Sequence, residues 1–85
     1  MWHVYIIECS DGSLYTGVTT DIERRMKQHN SGKAASYTRV RTPVRLVYNE
    51  SHPDRSSALK REAEIKSWPR KKKLEQIKKS VKAVK

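Results

Sequence analysis

The sequence predicts an α+β domain, a small three-stranded antiparallel sheet flanked by helices in the order ββαβαα. Three observations predict it. Two β-rich runs, 2–9 and 13–19, flank the turn residues Ser10, Asp11 and Gly12. A third run, 44–48, alternates apolar and polar residues. Segments with helical periodicity and recognisable end signals fill most of the remainder.

Taken in order, residues 2–9 are apolar or aromatic at both parities, which suits a strand covered on both faces. Residues 13–19 return from the turn, so 2–19 reads as a hairpin. Two registers are compatible with it. A two-residue turn at Asp11-Gly12 puts Tyr5 and Tyr15 on opposite faces. A three-residue loop with Gly12 at the left-handed bulge position instead pairs Cys9 with Ser13, and sets Tyr5 across from Gly17 and Tyr15 across from Ile7 on one face. We adopt the second, because Gly17 leaves space beside an aromatic ring or a backbone phosphate.

Thr20-Asp21-Ile22-Glu23 reads as a capping box with Thr20 as N-cap, opening a helix that runs to about Ser31 and stops at Gly32. Residues 32–43 form a polar loop long enough to carry function. The third strand follows at 44–48. A second helix is expected over 55–67, after Pro53; Pro69 interrupts it and opens a third over 69–79. The resulting domain spans 1–79, with 80–85 as a basic, disordered C-terminal tail.

Eighty-five residues make one domain. Cys9 is the single cysteine, so no internal disulfide forms, and no Cys/His spacing suits zinc. No signal peptide is evident, and no apolar run approaches the roughly 20 residues of a membrane span, so the expected location is the cytoplasm, away from any membrane. The net charge of +10 favours polyanions, nucleic acid before acidic proteins or headgroups. Residues 70–85 alone hold eight cations against one anion, Glu75.

On the first helix, Ile22, Met26 and His29 share an apolar stripe with Arg25 on its flank, which draws Arg25 and His29 toward the hairpin. Each has an ordinary explanation. Strand tyrosines pack cores, a histidine on an apolar stripe is usually a satisfied core group, and a bordering arginine snorkels. Glu62 is the sharper anomaly: the helical wheel puts it between Ala58 and Leu59 with Ile65 close by, at the centre of an apolar face. A carboxylate there needs a partner, either an arginine or a metal ion.

His3-Val4-Tyr5 followed by Tyr15-Thr16-Gly17 resembles the paired signature of the GIY-YIG nuclease superfamily, and Arg25, His29 and Glu62 stand where that family's helix arginine, helix base and metal-binding glutamate are expected. Arg24 to His29, Lys33-Ala34, Tyr37-Thr38-Arg39, Leu46-Val47-Tyr48, Arg61-Glu62 and Ile65 to Trp68 resemble its small stand-alone bacterial branch, the UPF0213 or YhbQ-like proteins. The likeness covers nearly the whole chain. It implies a metal-dependent endonuclease acting on DNA, with branched, damaged or single-stranded forms as candidate substrates, and with little sequence specificity of its own. The alternative is a non-catalytic basic module that keeps the fold and binds nucleic acid or acts as an adaptor. By the resemblance, one divalent ion, Mg²⁺ or Mn²⁺, sits on Glu62. Arg25 clamps the phosphate, and a tyrosine takes the proton of the attacking water: Tyr15, with Tyr5 orienting it and His29 as a rival base. Gly17, Lys33, Thr38, Arg39, Lys71, Lys72 and Lys73 are the expected nucleic-acid contacts. His3 replaces the glycine and Thr16 the isoleucine of the family motif, and Val18 stands where some members carry a lysine.

Overall fold

The computed structural model describes residues 1–84, with side chains through residue 79. The basic tail expected over 80–85 lies outside the described side chains. Strands β1 (Trp2–Glu8), β2 (Leu14–Thr19) and β3 (Arg45–His52) form one antiparallel sheet in the order β2-β1-β3. Helices α1 (Ile22–Asn30) and α2 (Ser36–Arg39) lie between β2 and β3, and α3 (Arg55–Lys66) and α4 (Arg70–Val84) follow.

The hairpin adopts the three-residue loop. Cys9 N–H donates to Ser13 C=O at 2.8 Å, Gly12 takes φ of 85°, and Tyr5 pairs with Gly17 and Ile7 with Tyr15. Gly12 is required there by its positive φ. Asp11 holds the turn from inside, accepting from the Ser13 backbone and hydroxyl.

Strand alternation then divides the molecule. Val4, Ile6 and Tyr48 face one side, where Ala58 and Ile65 of α3 close the core and Trp68 and Ile77 add to it. Tyr5, Ile7, Cys9 and Val44 face the other, against Tyr15, Ile22 and Met26. A register shift between Ile6 and Ile7 turns both Val47 and Tyr48 to the α3 side, while Leu46 stays on the other.

Several boundaries differ from expectation. Asp21, not Thr20, caps α1, its carboxylate accepting from Arg24 N–H at 3.0 Å; Thr19 remains the last residue of β2, its hydroxyl accepting from Asp21 N–H. The loop 32–43 contains α2, a single turn of helix. β3 runs four residues beyond Tyr48 because Glu50, an inward polar residue, is satisfied: it accepts from the Tyr48 hydroxyl, from His52 Nε2 at 2.6 Å and from Arg61 Nε at 2.9 Å. The Leu59 expected on the apolar face of α3 is exposed; the sheet covers only the sector around Ala58 and Ile65.

Candidate active site

The site begins with a missing side chain. A Cβ built on Gly17 would fall 2.5 Å from the Tyr5 hydroxyl oxygen and 2.7 Å from Cζ, so the Tyr5 ring lies directly across the bare backbone of β2. Gly17 serves here by its absence of bulk, since its φ is not positive.

Lying there, the Tyr5 hydroxyl meets His29 Nε2 at 2.8 Å, and His29 Nδ1 meets Thr38 Oγ1 at 2.8 Å. Thr38 Oγ1 is also 3.2 Å from Ala35 C=O. These contacts fix every proton. A carbonyl only accepts, so Thr38 spends its one proton on Ala35 and must accept from His29. Neutral His29 therefore carries its proton on Nδ1, and its Nε2 lone pair accepts from Tyr5. Tyr5, His29 and Thr38 are all buried, at 3%, 1% and 0% exposure. Burial, with help from the Arg25 charge, lowers the His29 pKa and keeps the ring neutral. Burial also raises the Tyr5 pKa well above the phenol range; Arg25 opposes that shift, while Tyr15 and Glu62 add to it.

Tyr15 sits beside this chain with its ring edge-on to His29 at 5.5 Å and stacked on Tyr37 at 5.8 Å. Arg41 covers the other face of Tyr37, 4.1 Å from the ring centroid. It also donates to Tyr37 C=O at 2.7 Å and to Asp11 at 3.0 Å, which ties the loop 32–43 to the hairpin turn. Asn30 fastens the far end of the loop, donating to Val44 C=O and accepting from Val44 N–H.

Arg25 and Glu62 complete the set. Arg25 Nε is buried and has no hydrogen-bond partner among the described residues, an orphaned donor that an anion would satisfy. Glu62 is one-fifth exposed, at 19%, and among the described residues is met only by Lys66 of its own helix, at 3.4 Å. Its partner is thus a neighbouring lysine, not an arginine. Although α3 packs on the opposite side of the sheet, the charges of Arg25 and Glu62 both bear on the Tyr5 phenol.

Tyr5, Tyr15, Gly17 and His29 therefore gather at one place, and the charges of Arg25 and Glu62 bear on it. Thr38 is corrected outright: it is fully buried, and its hydroxyl is committed to His29 and Ala35, so it cannot meet a phosphate. Lys71, Lys72 and Lys73 stand on α4, which packs on the opposite side of the sheet from the tyrosines, and Lys72 lies over the Trp68 ring at 4.7 Å. Lys33 and Arg39 are exposed on the α1-side loop. Tyr37 and Arg41 were missed as supports of Tyr15. An aromatic and a cation spaced one turn apart in a polar loop were the available signal.

Among the described residues, no group of three His, Cys, Asp or Glu could cage a metal. Glu62 offers one hard carboxylate donor set, loosely held by Lys66. That donor fits a Mg²⁺ or Mn²⁺ ion keeping most of its water, and suits no softer metal.

Comparison with known proteins agrees with this fold. The family model described as the GIY-YIG catalytic domain matches residues 1–75. A UPF0213 protein of Haloquadratum walsbyi is 63% identical over 71 residues, covering 84% of this chain and 80% of its own. One from Staphylococcus aureus is 57% identical over 75 residues, covering 88% and 92%. The solution structure of a UPF0213 protein from Bacillus halodurans superposes with a TM-score of 0.59 at 49% identity, over 92% of this chain and 84% of that one. A protein from E. faecalis gives 0.61 at 43%, over 91% and 82%.

Proposed function

The chain belongs to the GIY-YIG family, a nuclease-type family, within its UPF0213 group, and from that premise we propose that it is a metal-dependent endonuclease that hydrolyses DNA phosphodiesters with little sequence selectivity. One observation carries the reading. A neutral histidine with its lone pair aimed at Tyr5 stands beside an arginine whose buried Nε has nothing to bind. A mere binding module has no use for a fixed proton acceptor at a phosphate clamp.

In this reading, Arg25 binds the scissile phosphate and stabilises the charge that builds on its oxygens. Tyr15, the less buried phenol, meets the attacking water. As the water oxygen bonds to phosphorus, its proton passes to the Tyr5 oxygen while Tyr5 hands its own proton on to His29 Nε2. His29 becomes imidazolium, its Nδ1–H held by Thr38 throughout. The P–O bond to the leaving oxygen breaks, and that oxygen takes a proton from solvent. Glu62 would hold the divalent ion, which supplies Lewis-acid charge at the phosphate when bound.

Plasmid and branched DNA incubated with Mg²⁺ or Mn²⁺ test this. The expected result is nicking by the parent chain and none by Glu62→Ala or Arg25→Ala. Equal cutting by the variants would mean a contaminant. No cutting, together with salt-sensitive DNA binding, would leave a binding module. No described helix is long and apolar enough to cross a membrane; a cytoplasmic location, with DNA as partner, belongs to the same proposal.

A further inference from the structure

A cavity of about 630 Å³ lies away from the tyrosines, between α4 and the turn end of the sheet. Its floor is Leu14, Val47, Leu74 and Ile77, and Leu74 remains 37% exposed. Arg70, Lys71 and Lys78 stand on its rim with no carboxylate in ion-pair range among the described residues and outnumber the one acid of α4 there, Glu75, whereas Arg45, also on the rim, is held by Glu8 at 2.7 Å.

The geometry points to a docking groove for an acidic amphipathic segment of a partner protein, with leucine-like side chains on the aliphatic floor and carboxylates against Arg70, Lys71 and Lys78. Two features select that occupant. The aliphatic floor offers nothing for a phosphodiester to hydrogen-bond, so nucleic acid would leave it dry and unfilled. The unpaired cations line α4, with Lys71 and Lys78 about 10 Å apart along its axis, a span that flanking acids two turns apart on a docked helix would match. Because the groove and the Tyr5–His29 chain lie on opposite faces of the sheet, both could be filled at once. This inference stands whether or not the chain cuts DNA.

The test uses the full chain and the fluorescein-labelled peptide EELLEELLEELL, with EESSEESSEESS as control. Anisotropy is expected to show saturable binding of the leucine peptide, with the serine peptide weaker by about tenfold or more. Leu74→Asp, and separately Lys71→Glu with Lys78→Glu, should each weaken it about tenfold while circular dichroism and melting stay those of the parent. Amide NMR shifts on peptide addition should centre on Leu14, Val47 and Leu74. The inference is overturned if the leucine peptide fails to bind at about millimolar concentration, or if both peptides bind alike. It is also overturned if duplex DNA displaces the peptide or shifts the same amides, or if sedimentation shows the groove occupied by a second copy of the chain.

Discussion

Gly17→Ala puts the site's central contact under direct strain. The added methyl would stand 2.5 Å from the Tyr5 oxygen and 2.7 Å from Cζ, whereas ordinary contact begins near 3.4 Å. The ring must therefore retreat by about 1 Å. A retreat of that size stretches the 2.8 Å bond to His29 beyond hydrogen-bonding range. Losing that bond and leaving His29 Nε2 buried and unpaired costs about 1–3 kcal/mol, and crowding the strand costs about 1–3 kcal/mol more. Alanine returns at most about 1 kcal/mol by restricting the unfolded chain. The expected net loss is about 2–4 kcal/mol by urea unfolding, with cleavage falling further than the folded fraction does. Tyr5→Leu removes the phenol that the methyl strikes, so in that background Gly17→Ala should cost less than about 1 kcal/mol. If the substitution is equally harmful beside Leu, or harmless beside Tyr, the ring is not what requires glycine and the reasoning fails.

Thr38→Val keeps the shape but leaves His29 Nδ1–H without its acceptor; stability should fall by about 1–3 kcal/mol, with a larger proportional loss of cleavage than of folded protein. Because burial holds the His29 pKa below its unfolded value, its contribution to stability is complete above about pH 6.5 and declines as pH falls through the lowered folded value. Stability measured across pH should therefore drop in that acid window, and His29→Gln should flatten the drop. Cleavage should fail over the same range, since a protonated ring accepts nothing from Tyr5. Arg41→Ala releases Tyr37 and Asp11 together, for about 1–2 kcal/mol, and should raise protease nicking within 32–43. Glu62→Gln should change stability by less than about 1 kcal/mol and abolish metal-dependent cutting, whereas Glu50→Gln should cost about 1–3 kcal/mol and spare it.

The hairpin was readable because its rules are local. Gly12 and Gly17 select one register, and that register decides the face of both tyrosines. Arg25 and His29 followed from helical periodicity, and Glu62 from its place beside Ala58 and Ile65. The cap of α1 was misplaced by one residue because Thr19, Thr20 and Asp21 are all competent caps, and only the end of the β2 pairing selects Asp21. α2 was invisible: four residues, Ser36–Arg39, are too few to show a period, and the partner of Thr38 lies on another helix. The wheel for α3 ranked Leu59 with Ala58 because a wheel shows which residues share a side, not how wide a sector the sheet covers.

Two of the half-buried glutamates, Glu50 and Glu62, differ in their surroundings, and the difference separates structure from chemistry. Burial alone would raise the Glu50 pKa, yet hydrogen bonds from Tyr48, His52 and Arg61 hold it below the usual carboxylate range. Three donors saturate that acid, and a cation could claim it only by breaking all three. Among the described residues Glu62 has one partner, Lys66, on an exposed side chain one helical turn away, a contact worth at most about 1 kcal/mol. Displacing it costs little, and the displaced ammonium returns to water. In a chain of net charge +10 most acids near a cation are consumed by it. Glu62, the loosely held acid, is the one a divalent ion could claim at little cost, and that difference in satisfaction favours Glu62 over Glu50 as the ligand in the proposed mechanism.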